Sequence, residues 1–399
     1  MKYRLLAVAT SCLLVLGHGT AAQGLTGKIV DAGTNQPVPY ASVVVLNAPL
    51  GTTSNAEGEF ELNGVALPGK LVVSELGHRR DTVAVTTAGP PLLIRLQPAT
   101  VLLPEVQVGS YLGDLLAQAY RQLRRTHGRK TYGQAFYRQV TQLDDEATEV
   151  QEMVWDAETS NAGVEGTALA QGRFAKKKAL LSFNNFSIYT KAFSLFDAKA
   201  DSSALQGLIG PNAARYFVLK LVGVTQNGPQ QLVEIDFASR PEVPTNRERG
   251  TIVIDETTHQ ILRLRLEAPG FRTKSTNPLY KFKNESTQVE WVFAPRPGGA
   301  ATLDYLKITR RASIGRLAKA DVRLVVSSFT YCYNGHPTPD ARVTYAPAKG
   351  GEVDLTAIRQ IPYDPAFWHG NPVVKRTPIE EQVMKSFEQK GAFGTLLTP

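Results

Sequence analysis

Between residues 25 and 108 the chain divides into seven short β-type runs, at 25–30, 41–46, 60–62, 71–74, 82–86, 92–96 and 106–108. Turn-forming clusters separate them: the stretches 33–39 and 55–58, Leu67-Pro68-Gly69, and Gly89-Pro90-Pro91. Seven short strands in under 90 residues, with regular turns between them, predict a seven-stranded β-sandwich. The alternation agrees. Val83 and Val85 point one way while Thr82, Ala84 and Thr86 point the other, and Leu92, Ile94 and Leu96 alternate with Leu93 and Arg95. Gly58 is placed to supply a positive φ in the turn before Phe60.

The remainder, 111–399, reads as a larger α+β domain. Ser110 is placed to cap a helix running to Thr126, with Leu112, Leu115, Leu116, Ala119 and Leu123 on one face. Strand candidates follow at 132–140, 217–224, 231–237, 250–254, 261–267, 287–293, 302–308 and 322–333. The runs 250–255 and 261–266 form a hairpin across a polar turn. Long strands in meander order predict one curved antiparallel sheet wrapped round a helix, with flanking helices. A last helix spans 377–390, with Thr377 as N-cap, Pro378 at N1, Glu380 completing a capping box, Gly391 ending it and Ile379, Val383 and Phe387 as its apolar stripe. A chain that is 43% hydrophobic, with 33 Gly and 24 Pro in no fixed period, is neither mainly disordered nor collagenous, and the number of strand runs makes the expected fold class mainly β.

The first 22 residues carry an export pattern: basic Lys2 and Arg4, an apolar run over 5–16, then small residues ending at Ala21-Ala22, after which cleavage is expected. Cys12 lies inside the apolar run and is removed with it. The mature chain then holds one thiol, Cys332, expected to be buried in the strand around 329–333. No later run reaches roughly 18 apolar residues, so no second span is expected, and the strands are too few for a large outer-membrane barrel with its plug. The expected organisation is a signal peptide at 1–22, a sandwich at 23–110 and the larger domain at 111–399.

Four strings in the sandwich carry a resemblance: Gly27-Lys28-Ile29-Val30-Asp31, then 37–43 from Pro37 to Val43, then 51–55 from Gly51 to Asn55, then Glu57-Gly58-Glu59-Phe60. With Ser74 to Gly77 and the exit at 103–108, they resemble the carboxypeptidase regulatory-like domain. That resemblance implies a transthyretin-like sandwich with no active site of its own, of the kind that follows signal peptides in many Gram-negative envelope proteins. Two positions depart from the family pattern, which usually has an aromatic where His78 stands and Asp where Asn55 stands. The hairpin at 250–266 resembles those of periplasmic lipoprotein-carrier half-barrels. Phe136-Tyr137-Arg138 and the stretch from Tyr363 to Trp368 resemble the uncharacterised region that often follows the sandwich in such proteins.

The search for chemistry gives no catalytic, cofactor-binding or metal-ligating residue. His78, His127, His259, His336 and His369 stand isolated, with no H-E-x-x-H and no Glu three residues on. There is no G-x-S-x-G elbow and no S-x-x-K pair. The string from Gly64 to Lys70 imitates a phosphate loop, but Leu71 replaces the required Ser or Thr, Pro68 lacks an amide donor, and strands flank it on both sides. Asp144-Asp145-Glu146 reads as a solvated acidic loop. The formal net charge is +8, and the excess lies in the larger domain, with local clusters over 121–130 and 176–178. In an exported protein, such charge suits an anionic envelope surface or glycan better than nucleic acid, for which no motif is present.

The expected function is that of a non-enzymatic exported cell-envelope protein, without cofactor or metal. It would act as an interaction or binding module in the periplasm or on the periplasmic face of the outer membrane, with an envelope protein, glycan or amphiphile as partner. The alternatives are a periplasmic lipid or lipoprotein carrier, with acyl chains held between sheet and helix, and an unrecognised metallohydrolase.

Overall fold

The computed structural model describes residues 23–388 apart from 49, 103–109, 178, 197–204, 228–229, 244–246, 270–279, 296–299, 318, 348–352 and 371–372. The expected signal peptide, Gly391 and the strand expected at 106–108 lie outside the described residues.

The sandwich is made of β1 (Gln23–Asp31), β2 (Ser42–Val45), β3 (Gly51–Thr53), β4 (Glu59–Val65), β5 (Gly69–Ser74), β6 (Asp81–Val85) and β7 (Leu92–Leu96). Its sheets run β4-β1-β7 and β3-β2-β5-β6. Ile29, Val43, Phe60, Leu71, Val73, Ile94 and Leu96 close the core between them, on the alternate positions the sequence marks. The strand that sequence reading misses is β3, whose Gly51-Thr52-Thr53 has no apolar alternation. Gly58 has φ +73°, and a Cβ there would stand 2.4 Å from the Ile29 carbonyl oxygen, so the position requires glycine.

The second domain is one open antiparallel sheet of two meanders, joined where the last strand pairs with the first. Its strands are β9 (Thr131–Leu143), β10 (Glu146–Thr159), β11 (Val164–Lys176), β12 (Phe217–Asn227), β13 (Gln230–Ser239), β14 (Arg249–Asp255), β15 (Ile261–Pro269), β16 (Tyr280–Ala294), β17 (Thr302–Arg316) and β18 (Lys319–His336). The sheet order is β11-β10-β9-β18-β17-β16-β15-β14-β13-β12, and β8 (Thr100–Leu102), leaving the sandwich, adds to β12 at the edge. The expected hairpin is present, with Ile252 opposite Leu264.

Helix α1 (Tyr111–Thr126) lies on the inner face of this sheet. Its expected apolar stripe is buried there with Phe237, Ile252, Leu262, Leu306 and Leu324. Ser110 does not cap it through its side chain: its own backbone is already helical, which withdraws the hydroxyl from the first free amides, and its carbonyl accepts from Asp114 N. Segments 180–196 and 205–216, with short α2 (Ile188–Ala192) and α3 (Ala213–Tyr216), add Phe186, Leu195, Phe196, Leu208 and Ile209 to the same core. Helix α4 (Asp354–Arg359) packs Leu355 and Ile358 against Tyr137, Trp155 and Phe174.

The outer face carries the sandwich and the C-terminal segment with α5 (Pro365–Gly370) and α6 (Pro378–Glu388). The capping box of α6 is formed: Glu380 N donates to Thr377 Oγ1 at 3.2 Å and Thr377 N donates to Glu380 Oε2 at 2.8 Å. Val383 and Met384 rest on Val140, Val150 and Ala175 of the sheet.

Candidate functional site: a cleft between the domains

Two contacts fix the sandwich on the sheet. Tyr40, between β1 and β2, stacks on Phe329 at 5.0 Å and against Tyr305 at 5.4 Å, while Lys307 Nζ donates to its hydroxyl at 2.9 Å. Glu75 meets Arg263 Nη1 at 3.5 Å and accepts from the His78 ring at 2.7 Å, and His78 reaches Asp31 at 3.0 Å on its other nitrogen. Burial works to raise the Glu75 pKa, but the His78 hydrogen bond and Arg263 outweigh it and hold the carboxyl below its ordinary value.

The C-terminal segment straps both domains together. Thr52 Oγ1 donates to Val373 O at 2.9 Å, Asn55 Nδ2 donates to Arg376 O at 3.1 Å, and Lys375 pairs with Glu59 at 3.1 Å. On the sheet side, Arg138 donates to Glu152 at 2.7 Å, to Val374 O at 3.2 Å and to Glu380 at 3.2 Å. Arg173 also grips Glu152 and lies 4.4 Å over the Trp368 ring. Burial would raise the Glu152 pKa, yet Arg138, Arg173 and Arg376 bring it down to about 2.

Docked in this way, β2 and β3 close one side of a cleft of about 300 Å³ whose other walls are the ends of β9, β10, β17 and β18. Strand pairing explains the opening. β17 pairs with β18 up to Tyr305 opposite Tyr331, whereas β18 continues along β9 with Cys332 opposite Ala135 and Tyr333 opposite Gln134. On its other side β17 pairs Tyr305 with Val292 and Leu303 with Phe293, leaving Asp304 as the extra residue of a β-bulge. The bulge places a partly buried carboxylate in the cleft, with no hydrogen-bond or ion-pair partner among the described residues. Burial alone raises the Asp304 pKa to about 7. Cys332 lies beside it, and burial followed by the charge of Asp304 pushes its thiol far up, so it stands as a thiol. Tyr331 and Tyr333 stack at 5.9 Å with ring planes 7° apart, and burial pushes both hydroxyls up as well.

Sequence reading names Cys332, as a buried thiol, and gives no role to Asp304, Tyr331 or Tyr333. Asp304 is a single acid inside an apolar strand, and the signal that marks it, an unmatched residue in the ladder, exists only once the register is known. The residues that sequence reading weighs remain apart. His127 ends α1, 3.7 Å from Glu165. His259 sits at φ +55° in the β14–β15 turn, His336 Nδ1 faces Thr338 O at the end of β18, and His369 lies in α5. Asp144 and Asp145, both at positive φ, make the tight β9–β10 turn and bond to Arg323. The phosphate-loop imitation is the β4–β5 connection. Arg121, Arg124 and Arg125 are exposed on α1, and Lys177 pairs with Glu146 at 2.8 Å. Among the described residues, no three His, Cys, Asp or Glu side chains converge on a metal-sized point, and no helix is long and apolar enough to cross a membrane.

Comparison with known proteins adds one assignment. None of the curated proteins matches the chain. Among solved structures, a putative membrane-associated protein of unknown function from Bacteroides fragilis aligns at 10% identity and TM-score 0.16, over 79% of this chain and 98% of its own. A LolA superfamily protein from Nitrosomonas europaea aligns at 10% identity and TM-score 0.18, over 58% of this chain and 96% of its own. At such scores neither superposition establishes a shared fold. The family comparison covers the sandwich: residues 25–108 match the CarboxypepD_reg-like domain, which assigns that part of the chain as a carboxypeptidase regulatory-like domain.

Proposed function

We propose that the chain is a non-enzymatic, exported protein of a Gram-negative envelope that binds a partner in the cleft shared by its two domains. It would work in the periplasm or on the periplasmic face of the outer membrane. The observation that carries this reading is the composition of the cleft: both domains are needed to form it, and its floor holds a carboxylate without a partner among the described residues. A lone desolvated charge lowers stability, and chains tolerate such positions where a binding site requires them. Binding fits better than catalysis because the groups beside Asp304 are a protonated thiol and protonated phenols, none poised as a nucleophile. Export rests on the basic, apolar, small-residue order of 1–22, and the envelope on the company this sandwich family keeps. An amphiphile held on the inner face fits poorly, since α1 and the aromatic segment around Phe186 and Phe196 already fill that face.

The test is binding of mature protein (residues 23–399) to solubilised envelope fractions of its host, by biolayer interferometry. Val44 lines the cleft and is 37% exposed, so Val44→Trp fills the mouth without touching the core, and Leu317→Trp, at a remote position 78% exposed, is the control. Binding lost in V44W and kept in L317W is the expected result. Equal binding by both variants, or none by the unaltered protein, would refute the reading.

A further inference from the structure

The lining of the cleft names the ligand chemistry. Among the described residues Asp304 is its one carboxylate, and no Lys, Arg or His lines it. Among the described residues no cation pairs with Asp304, and burial is the cause that raises its pKa. An anion would meet an unopposed negative charge here, and a neutral hydroxyl would return only part of the solvation the carboxylate has lost. A charged N–H donor returns most of it, through a charge-assisted hydrogen bond. The stacked faces of Tyr331 and Tyr333 favour the same sign of charge, since the π-face of a phenol ring attracts cations. Size narrows the choice further: about 300 Å³ is at the lower end of small-molecule sites and suits one side chain or a short amine, not an oligosaccharide. One carboxylate is too few ligands for a protein-held metal ion.

Resting on the binding role proposed above, we infer that the cleft receives an organic cation, a primary ammonium or guanidinium group, seated on the Asp304 carboxylate beside Tyr331 and Tyr333. The group has two sources, a basic side chain of a peptide or a free amine. The contact depends on pH, because protonated Asp304 offers no charge. The titratable groups around it are Tyr132 on β9, Tyr305 on its own strand, Tyr331, Cys332 and Tyr333 on β18, and Asp156 on β10 behind Tyr333. The sandwich wall, Ser42, Val44, Leu50 and Gly51, contributes none. Asp156 is an acid whose pKa burial also raises, so no described group on any wall offsets the charge of Asp304.

The experiment is calorimetric titration of the mature protein at pH 8.5 with Nα-acetyl-lysine methylamide, Nα-acetyl-arginine methylamide, cadaverine and the neutral Nα-acetyl-norleucine methylamide. At least one cationic probe is expected to bind tenfold or more tighter than the norleucine probe. Preference for the amino-acid amides assigns a peptide source, and preference for cadaverine a free amine. Asp304→Asn removes the preference while thermal melting shows it folded, Val44→Trp weakens every probe, and affinity falls about tenfold between pH 8.5 and pH 6. Norleucine binding as tight as lysine, or a cation preference that survives D304N, overturns the inference. If no cation binds but envelope fractions still bind in a V44W-sensitive way, the cation inference falls and the proposed function stands. Loss of both defeats both.

Discussion

Replacing Asp304 by Asn is expected to stabilise the protein, in a way that depends on pH. The carboxyl takes up its proton at about 7 in the folded chain, against an ordinary value of 3.8. Between those values the folded state holds a proton that the unfolded state has released, so stability falls as pH rises through the window, and above about 7 the whole cost is present. At ~1.4 kcal/mol per pH unit the ceiling is ~4 kcal/mol. Water reaching a partly exposed carboxyl lowers this, and a gain of about 1–3 kcal/mol is expected for D304N at pH 8.5. Near pH 4 the gain should almost vanish, because the folded carboxyl is neutral and the unfolded one only half ionised. Urea unfolding of both proteins at pH 4 and pH 8.5 reads the difference directly. A variant that is less stable at pH 8.5, or whose advantage is the same at both pH values, would refute the reasoning, since either result means that the carboxylate is already satisfied.

The strap and the docking surface give further expectations. Glu152→Gln should cost about 3–5 kcal/mol in urea unfolding at pH 7, because the two buried guanidiniums of Arg138 and Arg173 lose the carboxylate they share. In the unaltered protein the Glu152 contribution is complete above its ordinary value of 4.5 and fades as pH falls toward about 2, which acid titration of stability will show. Tyr40→Ala should cost about 2–4 kcal/mol and split the calorimetric melt into two transitions, since its stack on Phe329 and Tyr305 joins the domains. Gly250→Ala should cost about 3 kcal/mol or more by the same urea assay: φ there is +157° and a Cβ would stand 1.9 Å from the Arg265 carbonyl oxygen.

Much of the fold is legible in the sequence wherever one face of an element is apolar and the other polar. The sandwich strands β5 to β7, the hairpin β14–β15, α1 and the capping box of α6 all belong to this class. β10 escapes because the rule fails where a strand is covered on both faces. From Ala147 to Trp155 every residue of β10 is buried, and its inward side chains include Glu149 and Gln151. Those polar groups hold segment 180–196 in place: Glu149 accepts from Phe183 N at 3.1 Å, and Gln151 Nε2 donates to Phe183 O at 2.9 Å. A buried polar strand of this kind reads in sequence as a loop. The cleft is illegible for a different reason. It arises where β17 leaves β18 and the sandwich fills the gap, and each of its residues is unremarkable in its own strand. Asp304 stands out only by what surrounds it.

The most direct measurement is a carboxyl-carbon NMR titration of protein labelled with ¹³Cγ-aspartate, with the Asp304 resonance assigned by its absence in D304N. A midpoint near 7 that moves down when a cationic probe saturates the cleft is the expected result. A midpoint near the ordinary 3.8, unmoved by any cation, would contradict an unpaired carboxylate waiting at the domain boundary.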